Sequence, residues 1–241
     1  MPIYLTQLDD GLWFPDPELA LEEPDGLLAF GGDLGVERLL LAYRSGIFPW
    51  YSEGEPILWW SPSLRGVLGL GDFHCSRSLA RLARSGKYRV SLNTAFPEVI
   101  RACAGVPRDP AGTWITARMI QAYIDLHEAG HAHSMEVWDA ETLVGGIYGV
   151  GLGRVFCGES MFHLRADTSK LAMLYLVRHL RAAGFAFLDC QLQNPHLASL
   201  GVREIERQQY LRELGRAIAE PAPADCWQVS ESVAGGSSHP E

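Results

Sequence analysis

The chain has 241 residues, of which 47% are hydrophobic and 20% charged, as in a globular protein of one large domain or of a small and a larger one. Its net charge of −9 is uneven, because residues 63–108 hold 8 basic and 2 acidic side chains, a local net of +6. The absence of C-x-x-C pairs, long apolar runs and a basic leader argues against a disulfide framework, a membrane span and a secretory signal, so we expect a cytoplasmic protein.

The first 62 residues predict a small irregular domain. Proline, glycine and aromatic residues are frequent there, and a short helix is expected from Val36 to Arg44, with Gly46 as its stop. Large aromatic side chains such as Trp50 and Trp59 need a surface to pack against. We therefore expect residues 1–62 to dock on the rest of the chain.

Residues 63–220 predict one mixed α/β domain. Helices are expected over Ser76 to Ser85, Ala95 to Ala104, Thr116 to Glu128, Asp167 to Ala182 and Arg207 to Ala219. Strands are expected over Tyr88 to Leu92, Ser134 to Trp138, Leu143 to Leu152, Val155 to Phe162 and Phe185 to Gln191. The tail, residues 221–241, is rich in Pro, Ala, Ser and Gly, and we expect it to be partly disordered, with order ending at Trp227.

The helix predicted from Ser76 to Ser85 has a basic outer side that carries Arg77, Arg81 and Arg84. Basic residues between acidic flanks attract phosphate locally, because salt limits the reach of charges to about 8–10 Å. The alternative is a solvated helix face, and the residues by themselves favour it.

Two motifs suggest sites that their surroundings argue against. His127 and His131 match the H-E-x-x-H pattern of zinc peptidases, which needs both histidines on one continuing helix, whereas Gly130 predicts a helix end between them. The glycines from Gly145 to Gly153 resemble a phosphate loop but lead into a strand and not into a helix. Glycines in strands indicate instead that a backbone or a ligand comes close, and a purely structural role is the alternative.

Polar side chains stand at the ends of two strands. Glu159 follows one apolar run, and Asp189 and Gln191 end another. Buried acidic residues are rare unless they are paired or bind something, and two such strand ends could face one cleft. The alternative is that Asp189 only caps the next turn and that Glu159 pairs with Arg154 or Lys170.

At these residues the chain resembles the leucyl/phenylalanyl-tRNA–protein transferase family. The resemblance covers roughly residues 3–218, in order and at family-like spacing. Its blocks are Asp25 to Leu34, Gly46 to Trp50, Trp59 to Pro62, Thr113 to Thr116, His131 to Ser134, Val144 to Val150, Gly158 to Phe162, Asp189 to Gln191 and Ala198 to Gly201. Asp167-Thr168-Ser169-Lys170 departs from the usual Asn-Ala-Ser-Lys of the family, which could alter the entry into the helix.

The resemblance implies an α+β fold with a small N-terminal domain packed on an acyltransferase domain like the GCN5-related N-acetyltransferases. It implies transfer of Leu or Phe, and Met less well, from Leu-tRNA or Phe-tRNA to proteins that begin with Arg or Lys, which creates a degradation signal. Because the aminoacyl ester is already activated, positioning and proton handling suffice, and no cofactor or metal is expected. We expect a monomer that acts away from membranes.

The resemblance also assigns roles to residues. Gln191 orients the α-amine or accepts its proton, Asp189 supports Gln191, and Glu159 pairs with the cationic acceptor side chain. The substrate-binding residues are the apolar pocket of Ile147, Phe156, Met161 and Leu188, with Ser160, and Trp50 and Trp114, which stack on the terminal adenine. The residues that contact tRNA phosphates are Arg77, Arg81, Arg84, Lys87 and Arg89.

Two other hypotheses stay open at this point. One is a zinc-dependent peptidase at His127 and His131, which a metal analysis would detect. The other is a module that binds tRNA through its basic residues without catalysis. A mixture of charged Leu-tRNA and an Arg-started peptide separates that module from an enzyme, since a protein that only binds yields no labelled peptide.

Overall fold

The structure, a computed structural model, describes residues 5–106 and 113–233 and arranges their strands in two sheets. The small sheet has the order β1-β2-β4-β3. Its strands are β1 (Thr6–Leu8), β2 (Leu27–Gly31), β3 (Phe48–Pro49) and β4 (Leu58–Trp60). Helix α1 (Val36–Arg44) lies between β2 and β3 in the chain and has the predicted bounds. The expected irregular segment thus contains a sheet that the proline and glycine content concealed.

The large sheet has seven strands in the order β11-β5-β10-β9-β8-β7-β6. Its strands are β5 (Leu64–Gly69), β6 (Arg89–Leu92), β7 (Ala132–Asp139), β8 (Thr142–Leu152), β9 (Val155–His163), β10 (Phe187–Gln191) and β11 (Arg203–Glu206). The predicted meander of β7, β8 and β9 is confirmed, and β10 adds parallel to β9. Strands β5 and β11 were not expected, and β5 lies antiparallel between β10 and β11.

Helices cover both faces of the large sheet. They are α2 (Arg77–Arg84), α3 (Phe96–Gly105), α4 (Ala117–Glu128), α5 (Thr168–Ala182), α6 (Pro195–Ser199) and α7 (Arg207–Ile218). Ser76 and Thr116 begin α2 and α4 by accepting hydrogen bonds from backbone amides three residues later, each at 3.2 Å. The five helices predicted in this part of the chain are confirmed within one residue at each end, and α6 is additional. No helix among the described residues is long and apolar enough to cross a bilayer.

The two faces of the large sheet hold separate apolar clusters, as expected for a layered domain. Helices α2 and α5 pack on one face. Helices α3, α4 and α7 and the small sheet with α1 share the other cluster. The N-terminal segment therefore docks on the larger domain through apolar contacts, and its aromatic residue Trp59 is fully buried there.

Strands β9 and β10 separate beyond their first residues. Register pairs within the described residues join them only at Phe187, Leu188 and Asp189 of β10. Strand β9 continues to His163, whereas β10 ends at Gln191. A gap therefore opens between the carboxyl ends of two parallel neighbours, where ligand sites commonly lie.

Glycines in β8 permit close approaches, as predicted. A Cβ at Gly149 would lie 2.1 Å from the carbonyl oxygen of Cys157 and 2.6 Å from the ring of Phe156. A Cβ at Gly145 would lie 2.6 Å from the side chain of Thr168, the first residue of α5. The neighbours are protein atoms of β9 and α5, so these glycines let strands and helix pack tightly.

The tail follows the edge of the large sheet further than expected. Trp227 stacks on His133 with ring centroids 3.9 Å apart and planes 5° apart. Ser230 then pairs with Leu92 of β6, and the Val233 amide donates to β6 at 2.8 Å. Strand β6 is the edge strand of the large sheet, and the outer backbone groups of an edge strand can pair with an extended segment. Residues 234–241 lie outside the described residues.

We predict that Gly149→Ala lowers the free energy of unfolding by about 3 kcal/mol, because the added methyl meets a backbone carbonyl that cannot move without breaking the β8–β9 pairing. The matched control is Gly105→Ala at the end of α3, where an added Cβ meets nothing within 4 Å. Urea unfolding of both variants measures the difference. Equal unfolding free energies for the two variants would contradict the tight β8–β9 contact.

Candidate active site

Two β-bulges present polar side chains at the gap between β9 and β10. In β9, Gly158 and Ser160 pair with successive residues of β8, so Glu159 is the extra residue of a bulge. In β10, Asp189 and Gln191 likewise pair with successive residues of β5, and Gln191 has a φ of 60°. Bulges redirect side chains out of strand alternation. The result is a direct contact, in which Gln191 Nε2 donates to Glu159 Oε1 at 2.6 Å.

Two tyrosines from other elements complete the surroundings of Glu159. Tyr43 of α1 donates to Oε1 at 2.7 Å and Tyr123 of α4 donates to Oε2 at 3.0 Å. The two tyrosine hydroxyls also contact each other. Burial, which leaves Glu159 only 8% exposed, raises its pKa to about 7, although the hydrogen bonds from Tyr43, Tyr123 and Gln191 favour the anion. A carboxyl group of this kind changes its charge near neutral pH.

The alternative partners considered for Glu159 are wrong. Arg154 pairs with Glu220 at 3.1 Å, and Lys170 pairs with Asp167 at 2.9 Å. Each cation is therefore paired with another carboxylate and forms no ion pair with Glu159. Within the described residues, the charge of Glu159 therefore has hydroxyl and amide partners and no cationic one.

Asp189 is fully buried and paired with Arg65 of β5. The guanidinium donates from Nε at 2.9 Å and from Nη2 at 2.7 Å, one bond to each carboxylate oxygen, and Tyr210 donates at 2.8 Å. Burial alone would raise the pKa of Asp189, but Arg65 and these hydrogen bonds hold it below its ordinary value. Asp189 also accepts from the backbone amide of Gln191 at 2.8 Å. Asp189 thus fixes the backbone of Gln191. Its role is therefore more than that of a turn cap.

An apolar cavity of ≈ 310 Å³ opens beside Glu159. Four of the predicted pocket residues line it, namely Ile147, Ser160, Met161 and Leu188. Met173 of α5 and Leu197 of α6 line it as well and were not predicted. We name this space the apolar cavity.

Phe156, which we predicted in this pocket, is not among the residues that line the apolar cavity. Its ring occupies the space that Gly149 leaves and lies 5.5 Å from the ring of Trp227. Phe156 still pairs with Leu188, so it stands before the point at which β9 and β10 separate. Met173, from the helix that covers the gap, takes the place that we expected for Phe156.

A second cavity, of ≈ 230 Å³, contains both predicted tryptophans, Trp50 and Trp114. We name it the aromatic cavity, and Phe48 and Gln191 also line it. It shares four lining residues with the apolar cavity, which are Glu159, Cys190, Asn194 and Leu197. Glu159 therefore belongs to the wall between an apolar space and an aromatic one, with Gln191 beside it.

The predicted basic residues separate into two groups. Arg77, Arg81, Arg84 and Lys87 are exposed on or just after α2. Arg89 instead lies over the ring of Trp138 at 5.0 Å and pairs with Glu231 of the tail at 3.4 Å. The tail thus partly neutralises Arg89, while the α2 group faces solvent.

The zinc-motif geometry does not form. Helix α4 ends at Glu128, and Gly130, with a φ of 80°, turns the chain before His131. The His127 ring stacks on Phe96, with centroids 4.4 Å apart, and its Nδ1 lies 2.8 Å from the carbonyl oxygen of Ala132. In the described part of the chain no three His, Cys, Asp or Glu side chains are grouped to hold a metal ion.

The chain is similar to known proteins over most of its length. A family model described as leucyl/phenylalanyl-tRNA protein transferase matches residues 67–215, and a model of the N-terminal domain of that family matches residues 32–63. The leucyl/phenylalanyl-tRNA–protein transferase of Pseudoalteromonas atlantica is 58% identical over 229 residues, which are 95% of this chain and 98% of the relative.

Similar solved structures are more distant. FemX aligns over 70% of this chain and 66% of its own at 11% identity, with a TM-score of 0.45. A GCN5-related N-acetyltransferase from Kribbella flavida aligns over 68% of this chain and 53% of its own at 12% identity, with a TM-score of 0.37.

We predict that Glu159→Gln stabilises the protein increasingly as pH rises. Between pH 4.5 and about 7 the unfolded carboxyl group ionises while the folded one keeps its proton, so wild-type stability falls across this window. The effect reaches roughly 3 kcal/mol for a pKa that moves from 4.5 to about 7. Urea unfolding at pH 4.5 and pH 8 tests it, with exposed Glu204→Gln as control. If the difference in unfolding free energy between Glu159→Gln and the wild type does not change with pH, the raised pKa of Glu159 is refuted.

Proposed function

The chain belongs to the leucyl/phenylalanyl-tRNA–protein transferase family, and we propose that this aminoacyltransferase moves Leu or Phe, and Met less well, onto proteins that begin with Arg or Lys. The family uses aminoacyl-tRNA and protein substrates. In our proposal the product carries an N-terminal degradation signal. The observation that carries the proposal is the wall between the apolar and aromatic cavities, where Glu159 and Gln191 meet.

The reaction replaces an ester by an amide. The acceptor nitrogen attacks the ester carbonyl carbon, the new C–N bond forms, and the C–O bond to the terminal ribose breaks. The amine loses one proton and the leaving ribose oxygen gains one, so no further reactant is needed. The enzyme therefore has to place an amine and an ester together and to manage that proton.

Gln191 suits the positioning of the amine. Its Nε2 is occupied by Glu159, and its amide oxygen is therefore the atom that can accept a hydrogen bond from the amine. Its backbone is fixed by Asp189, so the side chain starts from a defined place. A neutral amide is a poor base, and we assign Gln191 to orientation. Asp189 acts through Gln191 as a positioning residue.

Glu159 suits recognition of a cationic first residue. It lines both cavities, and its partners are uncharged. An Arg or Lys side chain brought to it would favour its ionised form and gain a charge-assisted hydrogen bond in a site largely shielded from water.

The apolar cavity suits the Leu or Phe side chain. Its wall includes the flexible thioethers of Met161 and Met173, which adapt to side chains of different shape. Apolar burial discriminates by only about 1–3 kcal/mol for each methylene-sized difference, so selectivity among Leu, Phe and Met should be graded. The aromatic cavity, with Trp50 and Trp114, suits the terminal adenine, since base stacking contributes about 1–3 kcal/mol.

We predict that the wild-type protein labels an Arg-started peptide from radioactive Leu-tRNA, and that Glu159→Gln lowers kcat/KM for this peptide about 30-fold. The reason is loss of a shielded charge pair, about 2 kcal/mol or more. Glu204→Gln is the matched control on β11 and should keep full activity. Peptide labelling at several peptide concentrations measures the effect. Unlabelled peptide with the wild type would refute the proposed function, and full activity of Glu159→Gln would refute the assigned role.

We predict that replacing Arg77, Arg81 and Arg84 together by Ala weakens charged-tRNA binding more at low salt than at high salt. Each phosphate contact contributes about 0.9 to the slope of log K against log salt for a duplex, so the slope should fall by roughly 2–3. Filter binding of charged tRNA from 50 to 200 mM salt measures this slope. The control replaces Arg101 and Arg212, exposed on α3 and α7. A salt-independent loss would contradict phosphate contact.

A further inference from the structure

Two further cavities connect α2 with the apolar cavity. The first, which we name the basic groove, measures ≈ 590 Å³ and is lined by Arg81, Lys87 and Arg165 among others. The second, which we name the α5 cavity, measures ≈ 490 Å³ and lies at the beginning of α5, with Ser169 and Lys170 in its wall. Together they extend the active-site gap toward the exposed basic helix.

Shared lining residues show that the cavities adjoin one another. Ala166 and Asp167 line both the basic groove and the α5 cavity. Met161 and His196 line both the α5 cavity and the apolar cavity. Leu197, next to His196 on α6, lines the apolar and aromatic cavities. A strand that follows the path from α2 would cross α6 and reach the wall formed by Glu159.

The path is lined by cations and by two histidines. Arg165 is exposed at the basic groove, and Lys170, His163 and His196 face the α5 cavity. Burial lowers the pKa of His196, and the nearby Lys170 and His163 lower it further, so this ring favours its neutral form. The acidic side chain in these two walls is Asp167, and Lys170 neutralises it at 2.9 Å.

A buried hydroxyl also faces this path. Ser169 is 6% exposed and lines the α5 cavity. A hydroxyl in this wall can donate to or accept from a hydrogen-bonding ligand in the cavity.

We propose that the basic groove and the α5 cavity hold the single-stranded 3′ end of the aminoacyl-tRNA, with Arg165 and Lys170 bound to its backbone phosphates. The inference rests on the proposed function, because it takes aminoacyl-tRNA as the substrate of the neighbouring gap. Phosphate recognition by cations carries no sequence information, so this segment holds the 3′ end in register while the apolar cavity selects the amino acid. Arg165 and Lys170 are binding residues for the donor substrate.

The test compares three leucyl donors that differ in their phosphates: leucyl-tRNA, a leucylated CCA trinucleotide and the leucyl ester of adenosine, which has no phosphate. In the double variant Arg165→Ala/Lys170→Ala, KM for the first two donors should rise on the order of 10-fold at low salt, with kcat retained. KM for leucyl-adenosine should not change. Arg212→Ala, which removes an exposed cation from α7, is the matched control, and Arg165→Lys with Lys170 intact should restore most of the affinity.

Direct binding separates this inference from the proposed function. Fluorescence anisotropy with a labelled CCA trinucleotide needs no transfer, and its salt slope should fall by roughly 1.4 in the double variant, 0.7 for each single-strand phosphate contact. Unchanged binding and unchanged KM for leucyl-tRNA would overturn the inference. An equal loss for leucyl-adenosine would also overturn it, since it would reveal distortion of the apolar cavity. A wild type that binds the trinucleotide but labels no peptide would refute only the proposed function.

Discussion

The buried ion pair between Arg65 and Asp189 is the constraint on which the rest of the site depends. Both side chains are almost completely shielded from water, and removing two charges from water is expensive unless every donor and acceptor is satisfied. Here the guanidinium spans both carboxylate oxygens, donates to the carbonyl of Gly46 at 3.2 Å and lies over the rings of Phe48 and Tyr210. One cation thus connects β5, β10, α7 and the N-terminal segment, so those elements have to assemble together.

This pair also explains why the two carboxyl groups at the gap behave differently. Asp189 faces a cation, and its pKa is held low, while Glu159 faces hydroxyls and an amide, and burial raises its pKa to about 7. Two neighbouring acids whose pKa values are pushed apart commonly divide structural and chemical roles. Asp189 is already neutralised and fixes the backbone of Gln191, which leaves Glu159 as the group whose charge can respond to a substrate.

The sequence predicted local features well and long-range partners poorly. Helix ends could be predicted from capping residues such as Ser76 and Thr116 and from the apolar periodicity. The β7–β9 meander could be predicted from the alternation of apolar and polar residues. Strand β5 escaped detection because Gly66 and Gly69 interrupt its pattern and because it is buried between two strands that come later in the chain. The clustering of Glu159 and Gln191 followed from their places at strand ends. Tyr43 and Tyr123 gave no such signal, because a tyrosine on the buried face of a helix resembles an ordinary core residue.

Charge is distributed unevenly over this acidic protein. Residues 1–62 hold 11 acidic and 2 basic side chains, and one of the two, Arg38, is buried against Asp33. This surface repels phosphate, while the exposed cations of α2 attract it. Because screening limits either effect to about 8–10 Å at physiological salt, the net charge of the whole chain matters less than the sign of the nearest surface. Under the proposed function, the exposed cations of α2 favour approach of the tRNA from their side, where the basic groove and the α5 cavity lie.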